Sequence, residues 1–145
     1  MSYFMETPPD TENNRKDFLD TVRRFSNFIA MLRKEKMKVY GMSWMRRSWD
    51  SLYQNISRKY DIVDEIMWGK MIKKRETPKM DEVVYLADGL LDLANYSLYG
   101  LWLIKKESEK NKIWEEVKRK IEERSEIPGI AKEILDGDKS PTGNS

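Results

Sequence analysis

The stretch Asp81 to Lys105, DEVVYLADGLLDLANYSLYGLWLIK, limits most what this chain can fold into. It is the longest apolar run in the sequence, with aliphatic residues on nearly every helical turn. Asp88, Asp92 and Asn95 interrupt it at spacings of four and three, so a helix stacks them along one face. Burying such a polar stripe without partners is costly. These residues therefore face water or hold something. Being apolar nearly all round, the segment is expected to form the central helix of a bundle, from Asp81 to about Lys106. Asp81 and Glu82 fall in its first turn, where the helix dipole favours acids. Gly89 and Gly100 each weaken a helix. They are expected where another helix, or a ligand, comes close.

The rest of the chain supplies helices to pack against it. Residues 1 to 10 read as a flexible N-terminus, and Asp10 or Thr11, just past Pro8 and Pro9, can cap a helix. This first helix is expected from about Glu12 to Lys38, with Phe18, Val22, Phe25, Ile29 and Leu32 as its apolar stripe. Gly41 punctuates its end. Ser43 can cap a second segment that carries Trp44, Met45, Trp49, Leu52 and Ile56 and runs to about Lys73, in one piece or two. Its core stripe reads Leu52, Ile56, Tyr60, Val63, Met67. Residues 69 to 80 have the clearest loop character, with a basic run from Lys70 to Arg75 and Pro78 before the central helix. A last helix carries Ile113, Trp114, Val117 and Ile121, entered directly or after a kink near Ser108 to Asn111, and ends at Ile127-Pro128-Gly129. Residues 136 to 145 read as a disordered tail. No segment alternates with period two. The class is therefore all-α, with four main helices in a single domain spanning residues 11–135.

Composition removes much of the chemical menu. The 145 residues include no Cys and no His. Disulfides, zinc sites, thiol nucleophiles, His bases and Ser-His-Asp triads are excluded. Catalysis, if any, rests on carboxylates, Lys, Tyr or a hard metal held by oxygens. The formal net charge of +2 provides no global field for nucleic acid or an anionic membrane. The N-terminus lacks the layout of a secretory signal, and the apolar run from Leu90 to Ile104 is too short to span a bilayer. A cytoplasmic protein is the expectation.

The string Asp88-Gly-Leu-Leu-Asp92-Leu-Ala-Asn95-Tyr96 resembles the most distinctive signature of the nucleotide modification associated domain of phages and microbes. That family is similar to the all-α MazG-like nucleoside triphosphate pyrophosphohydrolases. Lys36, Tyr40, Gly41, Ser43 and Trp44 fit the family's upstream pattern, and Ile56 to Tyr60 resembles its middle-helix motif. The likeness covers Lys36 to Leu103. Val39 and Arg58 depart from it, each standing where the family has an acid.

The resemblance implies a four-helix MazG-like bundle, a homo-oligomer and a Mg²⁺ held by carboxylates from two helices. Asp88 and Asp92 are the implied metal ligands and catalytic residues on the central helix. With Arg58 in place of an acid, Asp61, Asp64 or Glu65 must complete the set, and Asp61 and Glu65 form an i, i+4 pair. Lys36, Tyr40, Lys59, Asn95 and Tyr96 are the implied nucleotide-binding residues. Lys59 and the basic loop can grip phosphates, Asn95 can hold a water or phosphate oxygen, and Tyr40, Trp44 or Tyr96 can stack on a base.

The expected function is nucleotide binding, with Mg²⁺-dependent hydrolysis of a (deoxy)nucleoside triphosphate as its enzymatic form. The alternative is a catalytically silent helical interaction module. Binding of nucleic acid through Arg46, Arg47 and Lys70 to Arg75 is the weakest reading. The bland counterparts are a solvated Asp61/Asp64/Glu65 face, a solvated basic loop, and Trp44, Trp49, Trp68, Trp102 and Trp114 as core or dimer interface. Facing acids with an open pocket would mark the enzyme. An ion pair between Arg58 and Asp92 would mark a metal site converted to a salt bridge.

Overall fold

The computed structural model describes residues 6–41, 49–126 and 135. Among them are four α-helices, one π-helical segment and no strand, so the protein is all-α as the periodicity predicts. The chain divides into two compact units, with the boundary between Tyr99 and Gly100.

In the first unit, α1 runs from Glu12 to Tyr40. Thr11 caps it by accepting the Asn14 backbone N–H at 3.1 Å, while the Arg15 guanidinium holds Asp10 through two hydrogen bonds. At the other end Gly41 adopts φ 60°, ψ −140° and donates its N–H to the Met37 carbonyl. Only glycine takes that backbone conformation without strain.

Most of the expected α1 core stripe is exposed. Phe18, Val22, Phe25 and Leu32 stay open to solvent. The half-buried face is instead Ile29, Arg33 and Met37, on successive turns. A cation thus sits in line with the residues that α1 does bury.

The second helix, α2, spans Trp49–Ile66 and continues as a π-helical segment over Met67–Ile72. Its buried line is Leu52, Val63 and Ile66, with Ile56 and Lys59 half-buried between them. The steps are four, three, four and three, a helical seam. Tyr60 and Met67, expected in the core, are both exposed. The stripe through Tyr60 avoided a lysine, whereas the real one passes through it. The π segment then shifts the line by five residues, from Ile66 to the buried Met71. Residues 69 to 72 are therefore helical and not loop. The segment closes with Lys73 N–H on the Trp68 carbonyl and Glu76 N–H on the Lys70 carbonyl, across a left-handed Arg75. Trp49 and Trp68 are exposed, so neither is core within this chain.

The third helix, α3, runs from Met80 to Lys110. Its start is fixed by Glu82, which accepts the Lys79 backbone N–H at 3.0 Å, half of a capping box. The same carboxylate accepts a hydrogen bond from the Lys70 ammonium, which ties the π segment to the α3 start. That bond, and then the Lys79 N–H, hold the Glu82 carboxyl below its usual range. A depressed carboxyl contributes stability that is present above the unfolded-state pKa and is lost as pH falls through the lower folded value. In an NMR titration, Glu82 is expected to titrate below ordinary glutamates, and Lys70→Met to move it up. An unchanged midpoint would disprove the pairing.

Gly89 lets α2 and α3 approach. A Cβ there would lie 3.1 Å from Val63 Cγ2 and 3.5 Å from Ile62 Cγ2. The rest of α3 in this unit is not sheathed, since Val84, Leu90 and Leu98 are exposed. The expectation of a helix buried all round gives way to a helix with one packed side. The buried residues Leu52, Val63, Ile66, Met71 and Tyr99 form the core.

The second unit holds the end of α3 and α4, Trp114–Ser125. The break expected near Ser108 to Asn111 falls slightly later, at Asn111 to Ile113, between the end of α3 at Lys110 and the start of α4 at Trp114. Lys112 is left-handed at φ 61°, and Ile113 donates its N–H to the Ser108 carbonyl. On α4 the Lys118 ammonium is buried 3.0 Å from Glu115 and 5.9 Å from the Trp114 ring centroid. No helix among the described residues is long and apolar enough to cross a membrane.

Several expectations lie outside the described residues: a Ser43 cap, helical Trp44 and Met45, the Arg46/Arg47 pair, the Ile127-Pro128-Gly129 stop, and disorder at residues 1–5 and 136–145.

Candidate functional site

Three helices of the first unit line an open cavity of about 290 Å³. From α1 come Phe28, Ile29 and Leu32. From α2 come Lys59 and Ile62. From α3 come Tyr85, Asp88, Leu91, Asp92 and Asn95, with Gly89 leaving room between them. The wall is mostly apolar, with a small convergent set of polar groups, which is the usual make-up of a small-molecule site.

The polar groups are already engaged. Lys59 Nζ lies 2.7 Å from Asp92 Oδ2, with the lysine largely buried and the aspartate about 40 % exposed. The Arg33 guanidinium donates to Asn95 Oδ1. Burial lowers the Arg33 pKa from its ordinary value, and the Asp92 carboxylate works in the opposite direction. Guanidinium remains charged throughout the accessible pH range. Two helices thus each place one cation at a core-facing position, and α3 answers with a carboxylate and an amide. Charged groups on a buried face need such partners.

Asp88, Asp92, Asn95 and Lys59, all expected at the site, line this one cavity. Asp88 is the exposed member. Tyr96 is half-buried and does not line the cavity. Lys36 and Tyr40 are exposed near the α1 end and do not line the cavity. Asp61 and Glu65 do not line it either. Lys59 and Ile62 turn one side of α2 toward the cavity, and residues two and six positions beyond Lys59 lie on other sides of the helix. Asp64 and Glu65 instead line a separate cavity of about 420 Å³, with Trp68, Lys70, Lys73 and Glu82. Arg58 is exposed and donates to Asn55 Oδ1 at 3.4 Å on its own helix. The cation on Asp92 is Lys59, its neighbour.

Arg33 was not among the expected residues. Its signal was available, because Arg33 follows Ile29 by four and so shares the face that α1 buries.

A Mg²⁺ held by carboxylates of two helices is poorly matched by this donor set. Of the two carboxylates lining the cavity, Asp92 is ion-paired to Lys59, and α1 and α2 bring no carboxylate to the wall. Among the described residues no three His, Cys, Asp or Glu side chains cluster to hold a metal.

Compared with protein-family models, curated proteins and solved structures, the chain matches none.

Proposed function

We propose that the cavity between α1, α2 and α3 is a nucleotide-binding site, in keeping with the MazG-like resemblance of the α3 string. The observation that carries the reading is the placement of Lys59 and Arg33 at core-facing positions beside an apolar cavity with Phe28 and Tyr85 in its wall. The aromatic rings offer faces for a base. The ammonium and guanidinium offer charge-assisted hydrogen bonds to phosphate once they exchange Asp92 and Asn95 for the ligand. Binding, and not Mg²⁺-dependent hydrolysis, is the form of the reading that this donor set supports. The protein acts as a homo-oligomer in this reading, and nucleic acid is not its ligand.

The silent interaction module is the second reading. It is favoured by the Lys59–Asp92 pair, which occupies the polar groups that a ligand would use.

The test is a thermal-shift panel of nucleoside mono-, di- and triphosphates, each with and without Mg²⁺. A ligand specific for the folded state raises stability by about 2.7 kcal/mol at a hundredfold excess over its Kd. At least one nucleotide is expected to raise the Tm of the native protein. Lys59→Met is expected to weaken that binding by about tenfold to a hundredfold, the share of a charge-assisted hydrogen bond. No shift with any nucleotide overturns the reading in favour of the module.

A further inference from the structure

The polar groups that α3 brings to the cavity have an order. Tyr85, Asp88, Asp92 and Asn95 all line the wall, at steps of three, four and three, so they follow one another along one side of the helix. Asp92 holds Lys59 at 2.7 Å, and Asn95 accepts from Arg33. Both cations are therefore held at the C-terminal end of the series. Tyr85 supplies an aromatic ring at the N-terminal end. Asp88 stands between, about 4.5 Å past Tyr85 and about 6 Å before Asp92 along the helix axis.

Asp88 is the carboxylate that the site leaves over. It lines the cavity and is exposed, and among the described residues no cation or hydrogen-bond donor pairs with it. An ionised carboxylate accepts hydrogen bonds and donates none. Beside a phosphate it is repulsive, because like charges disfavour one another at close range. A ligand lying along this face is best matched when it brings donors, and no negative charge, to that position.

A nucleotide laid along α3 meets these groups in its own order. Its base reaches Tyr85, its phosphates reach Lys59 and Arg33, and its sugar passes Asp88. The vicinal hydroxyls of a ribose are two donors on adjacent carbons, and the two oxygens of one carboxylate can accept from both. Hydrogen bonds of this charge-assisted kind are among the stronger ones. A 2′-deoxyribose offers one of the two donors. The 2′-hydroxyl is the group by which a protein tells the two sugars apart.

We propose that Asp88 is a specificity-determining residue that accepts hydrogen bonds from the 2′- and 3′-hydroxyls of a ribose, and that the cavity is accordingly a ribonucleotide site. This inference rests on the nucleotide reading of the cavity and adds to it the choice of sugar.

The test is titration calorimetry with the ribonucleoside mono- and triphosphates, each beside its 2′-deoxy counterpart, on the native protein and on Asp88→Ala. The native protein is expected to bind a ribonucleotide about tenfold more tightly than its deoxy form, the lower end of what a hydrogen bond to a charged group contributes, since Asp88 is exposed. In Asp88→Ala the ribonucleotide is expected to fall to the affinity of the deoxy form, and the deoxy form not to weaken. The melting temperature of the unliganded variant should match that of the native protein, which separates a lost preference from a lost fold. Equal binding of both sugars by the native protein overturns the inference and leaves the nucleotide reading standing. A ribose preference that persists in Asp88→Ala overturns the role of Asp88. A preference that follows the base and not the sugar, and is lost in Asp88→Ala, puts the base at this residue and overturns the assignment of the sugar. Binding of no nucleotide at all overturns the nucleotide reading itself, and this inference with it.

Discussion

Gly89→Leu is expected to cost about 2 kcal/mol of stability, whereas Gly89→Ala is expected to be nearly neutral. The Cβ of alanine would meet Val63 Cγ2 at 3.1 Å, a contact that a small shift of one methyl can relieve. Alanine also recovers roughly 0.8–1 kcal/mol of helix propensity. Leucine recovers a similar amount but adds three carbons beyond Cβ, toward Val63, Ile62 and the Lys59 carbonyl, 3.9 Å from that Cβ position. Overpacking of this kind costs about 1–3 kcal/mol and sometimes more, and backbone cannot yield as a methyl does. Denaturant titration of the three proteins checks the ordering. Val63→Ala in the Gly89→Leu background should restore about 1 kcal/mol. If Gly89→Leu were as stable as the native protein, α2 and α3 would not meet at this residue.

Ile66→Ala is expected to cost about 3 kcal/mol, within the range of large-to-small changes at buried sites. Ile66 is 4 % exposed, at the junction where α2 passes into the π segment. The first unit has few buried apolar side chains to share the loss. A domain with total stability of about 5–15 kcal/mol gives up a large fraction of it at one such position. The denaturation midpoint should fall with the m-value unchanged. Met67→Ala is the comparison, since Met67 is exposed and the loss there should stay below about 0.5 kcal/mol. Equal losses at 66 and 67 would show that the buried line does not run as described.

Much of this fold is legible in the sequence because α-helical boundaries are local events. Thr11, Gly41 and the acids at 81 and 82 act on the backbone within a turn, so the ends of α1 and the start of α3 can be read from a few residues. The face of each helix is less legible, because it depends on partners distant in sequence. Tyr60 looks like core and is exposed, while Lys59 looks like surface and is largely buried, since only Asp92 on another helix makes a buried lysine tolerable there. The π segment is equally hidden. Nothing in Met67 to Ile72 forbids an α-helix, and the change of pitch serves to bring Met71 into the core.

Of the site, the α3 string yields Asp88, Asp92 and Asn95 directly, as three polar interruptions at helical spacing. The groups facing them are harder to read. Asp61 and Glu65 are plausible ligands by residue type, but helix rotation carries them away from the cavity. Arg33 has a type that suggests surface and a position that suggests core, and position decides.

The two polar contacts on α3 also act as a register key. Arg33 meets Asn95 and Lys59 meets Asp92, on adjacent turns of the same helix. Apolar ridges that repeat every turn can pack almost as well after one helix slides along another by a turn, about 5.4 Å. A small core of aliphatic side chains discriminates poorly between such alignments. Sliding α1 or α2 by one turn would break the pair it makes now, Arg33 with Asn95 or Lys59 with Asp92. Lys59 and Arg33 therefore index the stacking of the helices, and that alignment sets where along the helices the cavity lies.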